Sequence, residues 1–145
     1  MLNHSRKQKG KRLEKLVAST FADIFPFAYS RADSGSGKMH KEDVTLPLNV
    51  PLHIECKNQA TIDLKGWWSQ TMEGCPAYKF PVLIYKLDFQ QKPSVVMRMS
   101  DVLQFYLSNK PDFAAFGEKQ ILDLMVLITM SFDDFIGIVK SVYAK

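Results

Sequence analysis

Three acidic residues and one lysine of this sequence could do chemistry together. Glu55 and Lys57 stand two positions apart in the segment HIECKN, residues 53–58, and Asp43 and Glu14 lie upstream. Carboxylates in a small group are the ligands that hold Mg²⁺. A carboxylate-bound Mg²⁺ can activate a water and compensate the negative charge of a phosphate, which is what hydrolysis of a phosphodiester at neutral pH requires.

The segment around Glu55 predicts a strand with two different faces. Successive side chains of a strand point to opposite sides, so Ile54 and Cys56 share one face while Glu55 and Lys57 share the other. Taken alone, Glu55 and Lys57 are explained by an ion pair on a solvated sheet face. A hairpin that brings Asp43 beside Glu55 favours a metal site instead, with Lys57 orienting the water and the backbone carbonyl of Cys56 as a further ligand.

The pattern of apolar residues predicts helices and strands in a mixed order. A first helix covers residues 10–25, with Glu14 at the edge of its apolar stripe, and Pro26 ends it. The later elements are strands at 43–46 and 52–57, a helix at 63–75, strands at 80–88 and 93–99, a helix at 101–107 capped by Ser100, a strand at 124–130 and a helix at 132–144 capped by Ser131. This order predicts an α/β fold with a central mixed sheet flanked by helices.

Composition indicates one globular domain over residues 1–145. No apolar run reaches the roughly 20 residues of a membrane span, so no membrane partner is expected. Five cations and no anion fall in the first twelve residues, and residues 1–10 are predicted to form a basic, flexible arm that could neutralise phosphates. The two cysteines, Cys56 and Cys75, lack the spacing of zinc ligands and predict free thiols in a reducing cytoplasm.

The set Asp43, Glu55 and Lys57 resembles the motif of the PD-(D/E)XK nuclease superfamily. A helix with a glutamate, a hairpin with Asp and then Glu-x-Lys, and a following helix are similar to the superfamily's α-β-β-β-α-β core. The resemblance therefore implies a restriction-endonuclease-like α/β fold, with an extra C-terminal strand and helix in this chain. It also implies a divalent metal at the carboxylates.

Within the superfamily, the sequence is most similar to the archaeal-type Holliday junction resolvases and their phage relatives. Those proteins have a basic segment before the glutamate, as in KGKRLEKLV at 9–17, and an arginine and a Ser-Gly-Ser loop, as in SRADSGSGK at 30–38. The similarity extends over residues 9–88. Glu42 replaces the proline that usually precedes the aspartate, and the segment from about Lys119 onward is not part of the compact archaeal pattern.

The resemblance implies a Mg²⁺-dependent endodeoxyribonuclease, with Mn²⁺ as a substitute, that resolves four-way DNA junctions by paired phosphodiester hydrolysis in recombination and repair. A homodimer follows from the two matched incisions. The implied catalytic residues are Glu14, Asp43, Glu55, Lys57 and Ser34. The implied metal ligands are Glu14, Asp43, Glu55 and the Cys56 carbonyl. The implied DNA contacts are Arg6, Lys7, Lys9, Lys11, Arg12, Arg31, Ser36, Lys38 and Gln70.

Other functions have less support in the sequence. The segment GSGK at 35–38 lacks the spacing of a phosphate-binding loop, so no nucleotide cofactor is expected. A restriction-like or repair nuclease acting on other DNA substrates, and a DNA-binding relative that does not cut, remain alternatives. Trp67 and Trp68 are predicted to pack in the core or at a dimer contact, or to stack on unpaired bases. His53 is not required by the metal chemistry and is expected to be exposed or structural.

Overall fold

The computed structural model describes residues 2–26, 28–30, 42–108 and 126–143. The chain divides into two compact units, Met1–Pro93 and Ser94–Lys145. The prediction of a single nuclease domain over residues 1–145 stays a prediction. Within the described residues, we find no helix that combines the length and the apolar character of a membrane span.

The first unit contains six described elements. They are α1 (Leu2–Ala22), β1 (Tyr29–Ser30), β2 (Val44–Thr45), β3 (Leu52–Gln59), α2 (Leu64–Gly74) and β4 (Phe80–Leu87). The strands lie in the order β1-β2-β3-β4, with β1 and β3 antiparallel to β2, and β3 parallel to β4. This is the α-β-β-β-α-β order that the resemblance implied, and it confirms the predicted α/β fold with a mixed sheet and flanking helices.

Helix α1 covers the sheet through side chains spaced four residues apart. Leu13, Val17 and Phe21 are buried, and the helix packs against β1, β2 and β3. Leu16, an apolar residue on the same helix, is instead 46% exposed. The helix also begins earlier than predicted, because Leu2–Gly10 is helical rather than a flexible arm. Lysine, arginine and glutamine are good helix formers, so a polar extension of α1 needs no apolar face of its own.

Strands β3 and β4 form the centre of the first unit, paired in parallel from Leu52↔Phe80 to Gln59↔Leu87. Val82, Leu83 and Ile84 of β4 are all fully buried, as expected for a parallel strand covered on both faces. Parallel neighbours need a crossover connection, and α2 supplies it. The crossover places the carboxyl ends of β3 and β4 side by side.

Helix α2 begins where the sequence predicted. Asp63 caps it by accepting a hydrogen bond from the Gly66 N–H at 3.1 Å. A Cβ at position 66 would collide with the Asp63 carboxylate, which explains the glycine in the first turn. Trp67 is buried and packs against Tyr85 with 5.7 Å between ring centroids, while Trp68 is half-buried. Core packing, the first of the predicted roles, therefore holds for Trp67.

The second unit contains β5 (Ser94–Arg98), α3 (Met99–Leu107), β6 (Leu127–Ser131) and α4 (Phe132–Tyr143) among its described residues. Strands β5 and β6 are antiparallel, and both helices pack on this unit's own strands and on each other. The predicted cap of α4 is confirmed, since the Ser131 hydroxyl accepts the Asp134 N–H at 3.0 Å. The predicted cap of α3 is wrong, because Arg98 precedes the helix and Ser100 lies inside it.

Candidate functional site

The antiparallel pairing of β2 with β3 brings Asp43 to the residues that flank Glu55. The Asp43 N–H donates to the Ile54 carbonyl at 2.9 Å, and the Asp43 Oδ2 accepts the Cys56 N–H at 2.8 Å. Asp43 is buried, with 7% of its surface exposed. A backbone N–H of β3 therefore holds the Asp43 carboxylate in place. Glu55 and Lys57, on either side of Cys56, belong to the same strand.

Four predicted catalytic side chains have their charges near one buried thiol. Burial raises the pKa of Cys56 well above its ordinary value, and the negative charges of Asp43, Glu14 and Glu55 raise it further, while the Lys57 ammonium opposes them. An electrostatic effect of this kind falls off with distance, so all four charges lie near the Cys56 side chain. The three carboxylates come from α1, from the residue before β2, and from β3. The structure thus brings together four of the predicted residues.

Glu55 and Lys57 form the exposed side of this cluster. Both side chains are half-buried, with 17% and 22% of their surfaces exposed, and 3.9 Å separates Lys57 Nζ from Glu55 Oε1. This distance is too long for a hydrogen bond and short enough for a strong attraction between the charges. Cys56 faces the core, 6% exposed, as the strand alternation predicted. The two charged residues therefore share the face opposite the thiol.

The donor set fits a hard divalent cation in part. Within the described residues, no three His, Cys, Asp or Glu side chains are arranged closely enough to form a ready-made metal-binding group. Mg²⁺ does not require such a cage, because proteins usually hold it with one or two carboxylates while waters and substrate phosphates complete the octahedron. Glu14, Asp43 and Glu55 offer the right kind of oxygen. The raised pKa keeps the Cys56 side chain a neutral thiol, which is a poor metal ligand.

His53 lies on the same strand and was expected to be exposed or structural. It is fully buried, and neither ring nitrogen has a hydrogen-bond partner among the residues that the structure describes. Burial lowers its pKa, the nearby Glu42 charge partly counters this, and Lys79 adds to the lowering. His53 is therefore held neutral inside the fold, while an unfolded chain would protonate it near its ordinary value of 6.5.

Because the His53 pKa is lower in the folded state, we expect stability to fall as the pH drops below about 6.5, the ordinary pKa of histidine. In that window the unfolded chain binds a proton that the folded chain does not. One such group gives a slope of at most about 1.4 kcal/mol per pH unit. Urea unfolding of the wild type and of His53→Leu, each at about pH 5.5 and 7.5, measures how the free energy of unfolding changes with pH. An equal pH dependence in both proteins would contradict this explanation.

An open groove lies between α1 and the carboxyl ends of β3 and β4. It consists of two adjoining hollows of about 510 and 270 Å³, which share Lys9, Asn58 and Asp88. The further lining residues of the larger hollow are Arg12, Leu13, Leu16 and Lys86. The further lining residues of the smaller hollow are Ser5, Arg6, Gln59, Ala60 and Thr61. Leu16, unexpectedly exposed, therefore forms part of the groove wall.

Only some of the predicted DNA contacts line the groove. Arg6, Lys9 and Arg12 line the groove, whereas Lys7 and Lys11 are exposed on α1 outside its lining. Gln70 is exposed on α2. The remaining predictions lie outside the described residues, namely the catalytic Ser34 and the DNA contacts Arg31, Ser36 and Lys38. The functional roles of all these residues stay predictions.

Sequence reasoning missed Lys86, Asn58 and Asp88 as groove residues. Lys86 is the partner of Asn58 in the parallel register of β4 and β3. A signal was available, because Asn58 and Lys86 lie near the carboxyl ends of two strands that a helix connects, and such ends meet at one edge of a sheet. The sequence alone does not give the register that pairs them.

Comparison with known proteins agrees with this site. A scan against protein families matches residues 5–143, nearly the whole chain, to the family described as "Phage putative PDDEXK endonuclease". Searches of curated proteins and of solved structures found no match. The matched range includes Glu14, Asp43, Glu55 and Lys57, and it extends through α4, so the C-terminal elements belong to the family pattern. The chain therefore belongs to the phage putative PDDEXK endonuclease family, a restriction-endonuclease-like group of nucleases.

Proposed function

We propose that this protein is a Mg²⁺-dependent, structure-specific endonuclease that resolves four-way DNA junctions. The observation that supports nuclease chemistry most directly is that Asp43 is hydrogen-bonded across β3 between Glu55 and Lys57, with the Glu14 charge nearby, in a chain of an endonuclease family. A module that only bound DNA would gain nothing from three carboxylates that repel phosphates. The three carboxylates are explained if they bind a divalent cation that also compensates the negative charge of the phosphate.

In this proposal Glu14, Asp43, Glu55 and the backbone carbonyl of Cys56 hold the metal, and Mn²⁺ can replace Mg²⁺. When bound, the ion supplies an activated water and compensates charge on the scissile phosphate. Lys57, 3.9 Å from Glu55, orients the attacking water and stabilises the negative charge that develops on the phosphate oxygens. Asp43 is fixed by the Cys56 N–H, so its carboxylate needs little reorganisation to act as a ligand.

The four-way junction is proposed as substrate because of the sequence similarity to junction resolvases over residues 9–88. Resolution needs two matched incisions in opposing strands, so the active form would be a symmetric homodimer. Such an enzyme would act in DNA recombination and repair. Two free cysteines fit a reducing compartment, and we infer action in the cytoplasm, that of the host if the gene is a phage gene.

The test is cleavage of a synthetic four-way junction compared with a linear duplex of the same sequence, each with Mg²⁺ and with chelator. We expect paired incisions in the junction, little cleavage of the duplex, and none without divalent metal. Equal cleavage of the linear duplex would replace this proposal with a restriction-like or repair nuclease. Junction binding without cleavage in either Mg²⁺ or Mn²⁺ would indicate a DNA-binding relative.

A further inference from the structure

The groove between α1 and the sheet has a strongly positive lining. Four cations face it from two different elements: Arg6, Lys9 and Arg12 from α1, and Lys86 from β4. The single carboxylate in its described lining is Asp88. Several cations from two different elements suit an elongated polyanion better than a small anion, because successive phosphates of one strand can each meet a cation.

Asp88 forms an ion pair with one of the groove cations, Lys9. The Lys9 Nζ contacts the Asp88 Oδ2 at 2.9 Å, with 32% and 40% of the two side chains exposed. Exposed pairs of this kind contribute little to the stability of a fold. A phosphate can therefore replace the Asp88 carboxylate at Lys9 at small cost, but Asp88 then remains close by as a like charge.

The backbone around Lys9 is held in place from the sheet. Asn58 Nδ2 of β3 donates to the Lys9 carbonyl at 3.3 Å. The helical turn that presents Lys9 is thus tied to the strand that carries Glu55 and Lys57. Asn58 directly follows Lys57 in the chain, so a ligand bound at Lys9 would lie next to the carboxyl end of that strand, within the first unit.

We propose that this groove binds the sugar-phosphate backbone of DNA, with Lys86 as a contact equivalent to the α1 cations, and that Asp88 is a built-in competitor for Lys9. The competitor lowers the affinity for any single stretch of duplex, so that tight binding requires further contacts elsewhere on the substrate. This inference rests on the proposed nuclease function and adds a specificity-determining residue to it. Asp88 needs no contact with the reacting atoms.

The experiment measures DNA affinity by fluorescence anisotropy in chelator, across several salt concentrations, with a labelled duplex and a labelled four-way junction. We expect Asp88→Asn to bind duplex about two- to fivefold more tightly, the range that an exposed ion pair of up to about 1 kcal/mol allows, and to steepen the salt dependence by about one phosphate contact. Lys86→Gln should weaken binding and make the salt dependence shallower by a similar amount. In a Lys9→Gln background, the gain from Asp88→Asn should shrink.

Asp23→Asn is the matched control, because it removes one exposed carboxylate just beyond the end of α1, the helix that carries Lys9. Asp23 is exposed and lies fourteen residues beyond Lys9, about 20 Å along the helix direction at 1.5 Å per residue. It should leave affinity and salt dependence near the wild-type values. If Asp88→Asn behaves like Asp23→Asn, or if the wild type binds neither DNA in chelator, the inference is overturned.

The failure of this inference is distinguishable from failure of the proposed function. Binding is read without divalent metal, and cleavage is read separately with Mg²⁺. If the protein cuts junctions and its DNA affinity is unchanged by Asp88→Asn and by Lys86→Gln, the proposed role of the groove is overturned and the proposed function stands. If Asp88→Asn binds DNA more tightly but the wild type never cuts DNA, the proposed role of the groove is supported and the proposed endonuclease function is overturned.

Discussion

Glu55→Gln is expected to reduce DNA cleavage at least about 100-fold, a loss typical for removal of one electrostatic stabiliser of a transition state. Glutamine has the size of glutamate and keeps one carbonyl oxygen, but it lacks the negative charge that holds a divalent cation. Glu55 is half-buried beside Lys57, so the substitution also removes the negative charge that lies 3.9 Å from that ammonium. Loss of metal binding and misplacement of Lys57 both act in the same direction.

The measurement is the single-turnover rate on a junction or duplex, whichever the wild type cuts, over a range of Mg²⁺ concentrations. Raising Mg²⁺ should recover part of the lost rate, because a weaker site is filled by more ligand. DNA affinity in chelator should stay the same or increase, since one charge that repels phosphates has been removed. Activity within tenfold of the wild type at all Mg²⁺ concentrations would remove Glu55 from the proposed metal site.

Glu73→Gln is the control with the same chemical change. Glu73 is an exposed glutamate on α2, outside the group of charges that act on Cys56. Its substitution should leave the cleavage rate unchanged. A similar loss in Glu73→Gln would mean that total charge, and not the position of Glu55, decides the activity.

The central hairpin and its carboxylates could be predicted because their signals are local. Alternation along β3 separates Ile54 and Cys56 from Glu55 and Lys57, and burial follows that separation. Proline at positions 47 and 51 interrupts the extended run between β2 and β3, so two strands were expected there. His53 was less predictable, since alternation alone does not tell which face of a sheet a helix covers.

Two features could not be predicted because they depend on partners distant in sequence. Strand β1 has only two residues, Tyr29–Ser30, and exists through its pairing with β2, so it offers no periodicity to read. The groove depends on the parallel register that sets Asn58 beside Lys86, and on the N-terminal turns of α1. Those turns have no apolar stripe, which is why the pattern of apolar residues predicted a helix starting only at residue 10.

Asp43 combines a structural and a chemical role, and two substitutions should separate them. Its Oδ2 accepts the Cys56 N–H in the buried part of the sheet, so Asp43→Ala leaves a buried donor without its acceptor. The cost of such an orphaned group is about 1–3 kcal/mol. Asp43→Asn retains a side-chain oxygen of the same reach, and its free energy of unfolding should stay within about 1 kcal/mol of the wild type.

Cleavage should distinguish charge from hydrogen bonding at the same position. Both variants lack the negative charge that a divalent cation needs, so both should lose at least about 100-fold in rate. Urea unfolding gives the stability of each variant, and single-turnover cleavage of the wild-type substrate gives the rate. The decisive variant is Asp43→Asn, because it should fold normally and fail to cut. Full activity in that variant would mean that Asp43 serves β3 as a hydrogen-bond acceptor and takes no part in binding the metal.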